Sequence, residues 1–289
     1  LCNAIITGLP TGNTHRKGLS TMTTQTPGTA LITGASGGIG AIYADRLARR
    51  GYDLILVARN GDKLQRLASS LSDRTGRAVE VVVADLENAQ DLARVEAILR
   101  SDASITTLVN NAGVGTHTAL LDSDVDRMEA MIRLNVTAPM RLAYAGAPGF
   151  VARGHGTIIN IASIVAITPE TLNGVYGGSK AFVQAFSASL HHELAIKGIR
   201  IQSVLPGATA TDFWETGGLP LDHLPESIVM RAEDMVDAAL VGLDRGETTT
   251  IPALENAGLW SDFEAARAAL SPELSASRPA ARFGIVHAH

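Results

Sequence analysis

Cysteine is almost absent from this 289-residue chain, and the single one, Cys2, excludes an internal disulfide and any metal site built on paired cysteines. Long apolar runs are also missing. None reaches the ~18 residues of a membrane-spanning helix. There is no surplus of basic residues: 24 Lys and Arg stand against 29 Asp and Glu, a net charge of −5. The cations are scattered, which argues against a nucleic-acid surface. The sequence begins at Leu1 without methionine, and its first stretch has neither periodicity nor a basic segment before an apolar core, so it makes a poor secretory signal. Met22 opens a polar lead directly before the first strong strand. The expectation is that Met22 is the natural start and that residues 1–27 are a disordered leader or non-native extension. What remains is an ordinary globular composition, 46% apolar and 18% charged, enough for one large core. A cytoplasmic location, with no membrane or nucleic-acid partner, is the expectation.

Strands and helices alternate along the rest. Thr29–Thr33 is a short apolar run, followed at once by Gly34, Ser36, Gly37, Gly38, Ile39 and Gly40, then by a helical pattern (Ile42, Ala44, Leu47, Ala48). Glycines let the backbone turn tightly and approach a pyrophosphate, and a helix N-terminus offers free amides. Further strands are expected at Asp53–Ala58, Ala78–Ala84, Ile105–Val109, Gly156–Ala162, Ile199–Leu205 and Thr248–Pro252. Helical spacing recurs at 62–74, around Leu92–Leu99, through most of 122–150, from Tyr176 onward and at 232–243. The pattern predicts an α/β fold: one Rossmann-type domain with a doubly wound parallel sheet of about seven strands and helices on both faces.

The second strand ends in Ala58-Arg59-Asn60, where an NAD-binding fold would carry a carboxylate for the ribose. Arg59 instead offers a planar fork suited to a 2′-phosphate, and Ser36 can add a hydroxyl, so NADP is preferred over NAD. After the third strand, Asp85 precedes Leu86. An acid there either accepts a hydrogen bond from an adenine amino group or caps the next helix. Tyr176 and Lys180 lie four residues apart and share a helix face. A nearby ammonium lowers a phenol's pKa toward the range of a useful acid or base. The loop histidines His117 and His155, and the helical His191 and His192, lack acidic companions at metal spacing, so no metal site is expected.

Thr33 to Gly40, then Asn110-Asn111-Ala112-Gly113, then Tyr176-x-x-x-Lys180 resemble the short-chain dehydrogenase/reductase family over about residues 29–252. The resemblance implies hydride transfer between a nicotinamide cofactor and a carbonyl or secondary alcohol. It implies that Tyr176 is the general acid/base and that Lys180 tunes it and holds the nicotinamide ribose. Ser163, 13 residues before Tyr176, would bind the substrate oxygen, and Asn135, 41 before it, would hold a relay water by its main chain. Ser163 is otherwise a helix N-cap, and Asn135 otherwise a polar residue at a helix kink near Pro139. Asn111, Ala112 and Gly113 would border the cofactor. Pro206, Gly207 and either Thr209 or Thr211 would meet the nicotinamide carboxamide.

Residues 209–231 mix Phe213, Trp214, Leu219, Leu221 and Leu224 with Gly217, Gly218, Pro220 and Pro225, which suits a mobile substrate lid. The domain is expected over 28–254. The remaining 255–289 are expected to form a helical tail, docked on the body or on a partner. Family habit implies a homodimer or homotetramer. A competing reading is a nucleotide sensor on the same scaffold, which would not need to keep the serine, tyrosine, lysine and asparagine. A nucleotide-sugar epimerase would need a larger C-terminal domain. The substrate itself is not legible.

Overall fold

The computed structural model describes residues 27–285. The expectations for Cys2, Met22 and the leader up to Thr26 lie outside the described residues. Among the described residues there are nine strands and nine α-helices. The first half alternates regularly: β1 (Thr29–Thr33), α1 (Gly38–Arg49), β2 (Asp53–Ala58), α2 (Gly61–Thr75), β3 (Val79–Val83), α3 (Ala89–Ser101) and β4 (Ile105–Asn110). The second half holds α4 (Val125–Ile132), α5 (Ala138–Arg153), β5 (Gly156–Ile161), α6 (Gly174–Leu194) and β6 (Ile199–Val204). After it come β7 (Thr209–Ala210), α7 (Phe213–Thr216), β8 (Met230–Arg231), α8 (Ala232–Asp244), β9 (Thr249–Thr250) and α9 (Gly258–Leu270).

Seven strands form one parallel sheet in the order β3-β2-β1-β4-β5-β6-β9. The order reverses between β1 and β4, and this switch point opens a crevice at the strands' C-terminal ends. Side chains alternate across the sheet as the pleat requires. Ala30, Ile32, Leu54 and Leu56 pack with α1, α2 and α8 on one face. Leu31, Ile55, Leu108, Ile158 and Ile201 pack with α3, α5 and α6 on the other. Each such leucine or isoleucine contributes about 1.5–3 kcal/mol of burial.

The stretch 122–150 is mostly helical, as expected, with a π-helical turn, Arg133–Thr137, between α4 and α5. The helix that carries Tyr176 starts before it, at Gly174, because the Asn173 side chain accepts from the Val175 and Tyr176 amides. In the tail, α9 has no buried residue among those described, and Leu259, Phe263 and Leu270 on it are exposed. Residues 209–231 run through short turns between the two strands of a parallel pair, β7 with β8.

Candidate active site

At the switch point lies a cavity of about 880 Å³. One wall is the glycine loop. An added Cβ at Gly40 would overlap the Gly34 carbonyl oxygen, so only glycine permits this turn to close. Gly37, in contrast, faces open space, and no side chain caps the first amides of α1. The first turn of α1 carries no acidic residue. Open amides, a favourable helix dipole and no opposing charge fit a dinucleotide pyrophosphate. Asn111 shapes this loop. Its side-chain amide donates to the carbonyls of Thr33 (2.9 Å) and Gly34 (3.2 Å), and its backbone amide donates to Thr33 Oγ1 (3.0 Å).

The opposite wall is α6 and the end of β5. Tyr176, Lys180, Ser163 and Asn135 are all buried there. Lys180 reaches across so that its Nζ donates to the Ile161 carbonyl at 2.9 Å, and lies 5.9 Å from the centre of the Tyr176 ring. Burial brings the Lys180 ammonium down to about 8. Burial pushes the Tyr176 phenol up to about 12, partly offset by a hydrogen bond with Ser163. The sequence leads to the reverse expectation, a phenol lowered by its lysine. Here desolvation is the larger cause, and the opposing contribution comes from Ser163.

Ser163 serves as a cap and stands beside Tyr176. Its Oγ caps a short 3₁₀ turn by accepting from the Val165 amide (3.4 Å), and it faces Tyr176. Asn135 sits in the π-turn, where its side chain is used fully. Oδ1 accepts from the Val114 amide (3.0 Å), while Nδ2 donates to the Val114 carbonyl (2.8 Å) and to Ser179 Oγ (3.1 Å). Ser179 Oγ in turn donates to the Tyr176 carbonyl at 2.7 Å. A Cβ on Gly113 would lie 3.1 Å from Asn135 Oδ1 and 3.5 Å from Lys180 Nζ, so this glycine lets the two groups approach.

A family profile described as short chain dehydrogenase matches residues 28–218. The chain belongs to that family. It is an oxidoreductase acting on CH–OH groups. It is similar to a short-chain dehydrogenase from Sphingobium yanoikuyae solved in complex with NADPH, at 47% identity and a TM-score of 0.86, covering 88% of this chain and 99% of that one. It is also similar to the bulky-bulky ketone specific alcohol dehydrogenase from Comamonas testosteroni (44% identity, TM-score 0.83, 90% and 99% covered). The very-long-chain 3-oxoacyl-CoA reductase of Anas platyrhynchos is 36% identical over 212 residues, 70% of this chain and 67% of that protein.

In this short-chain dehydrogenase the cavity is lined by Gly34, Ser36, Gly37, Gly38, Ile39, Asn111, Ala112 and Gly113 from the first two motifs. Ser163, Tyr176, Lys180, Pro206, Gly207, Thr209 and Thr211 complete the predicted set along its wall. Five predicted residues lie elsewhere. Gly40 is buried under Gly34, and Asn135 stands behind Gly113. Arg59 is exposed at the end of β2, outside the wall. Asp85 and Leu86 also lie off the wall. Asp85 closes a local turn onto the Glu87 amide (3.1 Å), while the cap of α3 is Asn88, so the capping alternative for Asp85 is not what the structure has. Thr209 is buried with its hydroxyl on the Gly207 carbonyl (3.2 Å), whereas Thr211 lies over Gly38.

Sequence reading missed Lys63, which lines the cavity from the first turn of α2. Its position three residues past the Asn60 cap, near the strand ends, is the signal that would find it. It also missed Asn173, whose Nδ2 donates to the Thr118 carbonyl at 2.6 Å and so ties the loop after β4 to the start of α6.

Proposed function

We propose that the chain is an NADP(H)-dependent reductase of ketones with a bulky apolar substituent, working reversibly on the matching secondary alcohols. One observation carries this reading: three buried polar groups, Ser163, Tyr176 and Lys180, converge on one corner of a cavity whose far walls are apolar, with Leu172, Phe213, Trp214, Leu219, Leu224 and Ile228 among them.

When bound, NADP(H) supplies or accepts the hydride. Gly34 to Ile39 would hold its pyrophosphate, and Pro206, Gly207 and Thr209 or Thr211 its nicotinamide. Ser36 and Lys63 at the wall, with Arg59 exposed at the end of β2, offer two cations and a hydroxyl for a 2′-phosphate and no strand-end carboxylate for a bare ribose. In the reductive direction Tyr176 gives its proton to the carbonyl oxygen as general acid. Ser163 donates a hydrogen bond where negative charge develops. Lys180 keeps a positive charge beside the phenol. Asn135 fixes the loop at Val114 and the carbonyl side of α6, and so sets the geometry of the corner.

The lid argues against a coenzyme A thioester. Between Thr211 and Val229 it carries Asp212, Glu215, Asp222 and Glu226 with no Lys or Arg, a poor surface for nucleotide phosphates. Exposed Tyr144, stacked on Phe186, and the exposed apolar residues of α9 support self-association, which light scattering would measure.

The test is a carbonyl panel assayed with NADPH and NADH side by side. Aryl alkyl ketones should be reduced with NADPH at a kcat/KM at least about tenfold above NADH, and Arg59→Ala should narrow that ratio. Preference for NADH, or turnover confined to 3-oxoacyl-CoA, would overturn the proposal.

A further inference from the structure

Two spaces meet at Tyr176. One is the large cavity of about 880 Å³. The other is a small chamber of about 10 Å³, room for about one water. They share Leu172, Tyr176, Phe213, Trp214 and Leu219 as a common wall. The far side of the chamber is Gly115, Thr116, His117 and Gly217.

The Phe213 ring fills the space between them. Its edge points at Gly115, where an added Cβ would overlap Cζ and lie 3.1 Å and 3.2 Å from Cε1 and Cε2. Its face is tilted 45° to the Tyr176 ring at a centroid distance of 5.9 Å. The backbone behind it is fastened on both sides. The Trp214 indole donates to the Thr209 carbonyl (2.9 Å), and His117 Nδ1 meets the Gly217 carbonyl oxygen at 3.1 Å.

A ketone presents two substituents on opposite sides of the carbonyl carbon. With its oxygen at Tyr176, one can extend into the large apolar cavity. The other then points toward the chamber and meets the Phe213 ring. We propose that Phe213, seated against Gly115, is the specificity-determining residue that limits the second substituent to about the size of a methyl group. The inference rests on the reading of the site as a ketone reductase. A pocket that gains or loses room for a few methylenes commonly changes discrimination by about 10–200-fold.

The experiment uses the full chain, NADPH, and two probes: acetophenone, with a methyl group, and valerophenone, with a butyl group. Phe213→Ala should raise the kcat/KM ratio of valerophenone to acetophenone by at least about tenfold, with NADPH affinity unchanged. Gly115→Ala should lower kcat/KM for both ketones in the native background, because its methyl group displaces the ring. In the Phe213→Ala background the same change should have less than about a twofold effect, since contacting residues are coupled. A ratio unchanged within about twofold, or an equal Gly115→Ala effect in both backgrounds, overturns the proposal. Should Phe213→Ala lower the melting temperature enough to prevent assay, Phe213→Leu decides: a smaller shift in the same direction supports the proposal and none refutes it. Failure of the native chain to oxidise NADPH with any ketone overturns the underlying reading, and this inference with it.

Discussion

At and just behind the floor of the cavity, Asn135, Ser163, Tyr176 and Lys180 are each less than a tenth exposed, and Asn135, Ser163 and Lys180 are fastened to the backbone of other elements. In the lid, none of the described side chains between Asp212 and Val229 is fully buried, and the backbone runs through short turns. The floor has its geometry set by long-range hydrogen bonds. The lid has its position set at a few points, chiefly β7 with β8 and the Trp214 indole. A proton transfer tolerates little displacement, so it belongs on the rigid side. Substrate choice needs only shape, and shape can be rewritten in a lid without touching the floor.

The sharpest way to break this contrast is Tyr176→Phe. It should lower kcat by about 10³-fold or more with NADPH binding retained, as judged by quenching of intrinsic fluorescence. A variant with near-native kcat would remove the floor's chemical role.

Asn135→Ala tests whether the floor's hydrogen bonds matter as geometry. It leaves the Val114 amide and carbonyl without their partner, and should cost about 3 kcal/mol in chemical denaturation. It should also lower kcat by about 10–100-fold, with KM for the ketone nearly unchanged. A loss of stability with native kcat would make Asn135 a packing residue only.

The third test is pH. With Lys180 brought down to about 8, the reduction rate should fall above pH 8 by up to about tenfold per unit as the ammonium is lost. Stability should move the opposite way over the same window. Between about 8 and 10.5 the unfolded chain holds a proton on this lysine that the native one does not, so this group makes stability rise with pH there. Tyr176, pushed up to about 12, keeps its proton in the native state and should reverse that trend above about pH 10. A pH-rate profile flat to pH 10 would contradict the Lys180 assignment.

The smallest expected effect belongs to the lid. Trp214→Phe removes the indole donor to Thr209 and should raise KM for the ketone by about three- to tenfold, with kcat within about twofold. An effect on kcat as large as that of Asn135→Ala would erase the distinction between floor and lid.

The sheet and the glycine loop were legible because their signals are local: runs, periodicity and glycines next to one another in the chain. Ser163, Tyr176 and Lys180 were legible through spacing. What holds them was not. The bonds from Asn135 to Val114 and Ser179 join residues 21 and 44 positions apart, and no short pattern announces such partners. Gly177 looked like a weakness in a helix until the fold brought the Pro169 backbone to 3.1 Å of where its Cβ would be. Gly178 faces open space, and nothing in the structure explains it. The periodicity of the tail announced a helix, but an apolar stripe cannot say what covers it, and α9 has no buried residue among those described.

The π-turn at Arg133–Thr137 amounts to one residue too many in an otherwise continuous helix. Deleting a single residue there would restore regular winding and give a smoother rod. The wide turn takes up the extra residue, so α4 and α5 would stay close to their present phase and the change would fall on the turn itself. Asn135, which sits inside that turn, would be shifted off the Val114 amide and carbonyl. A sequence edit that improves the helix by every local measure would therefore disassemble the corner it serves.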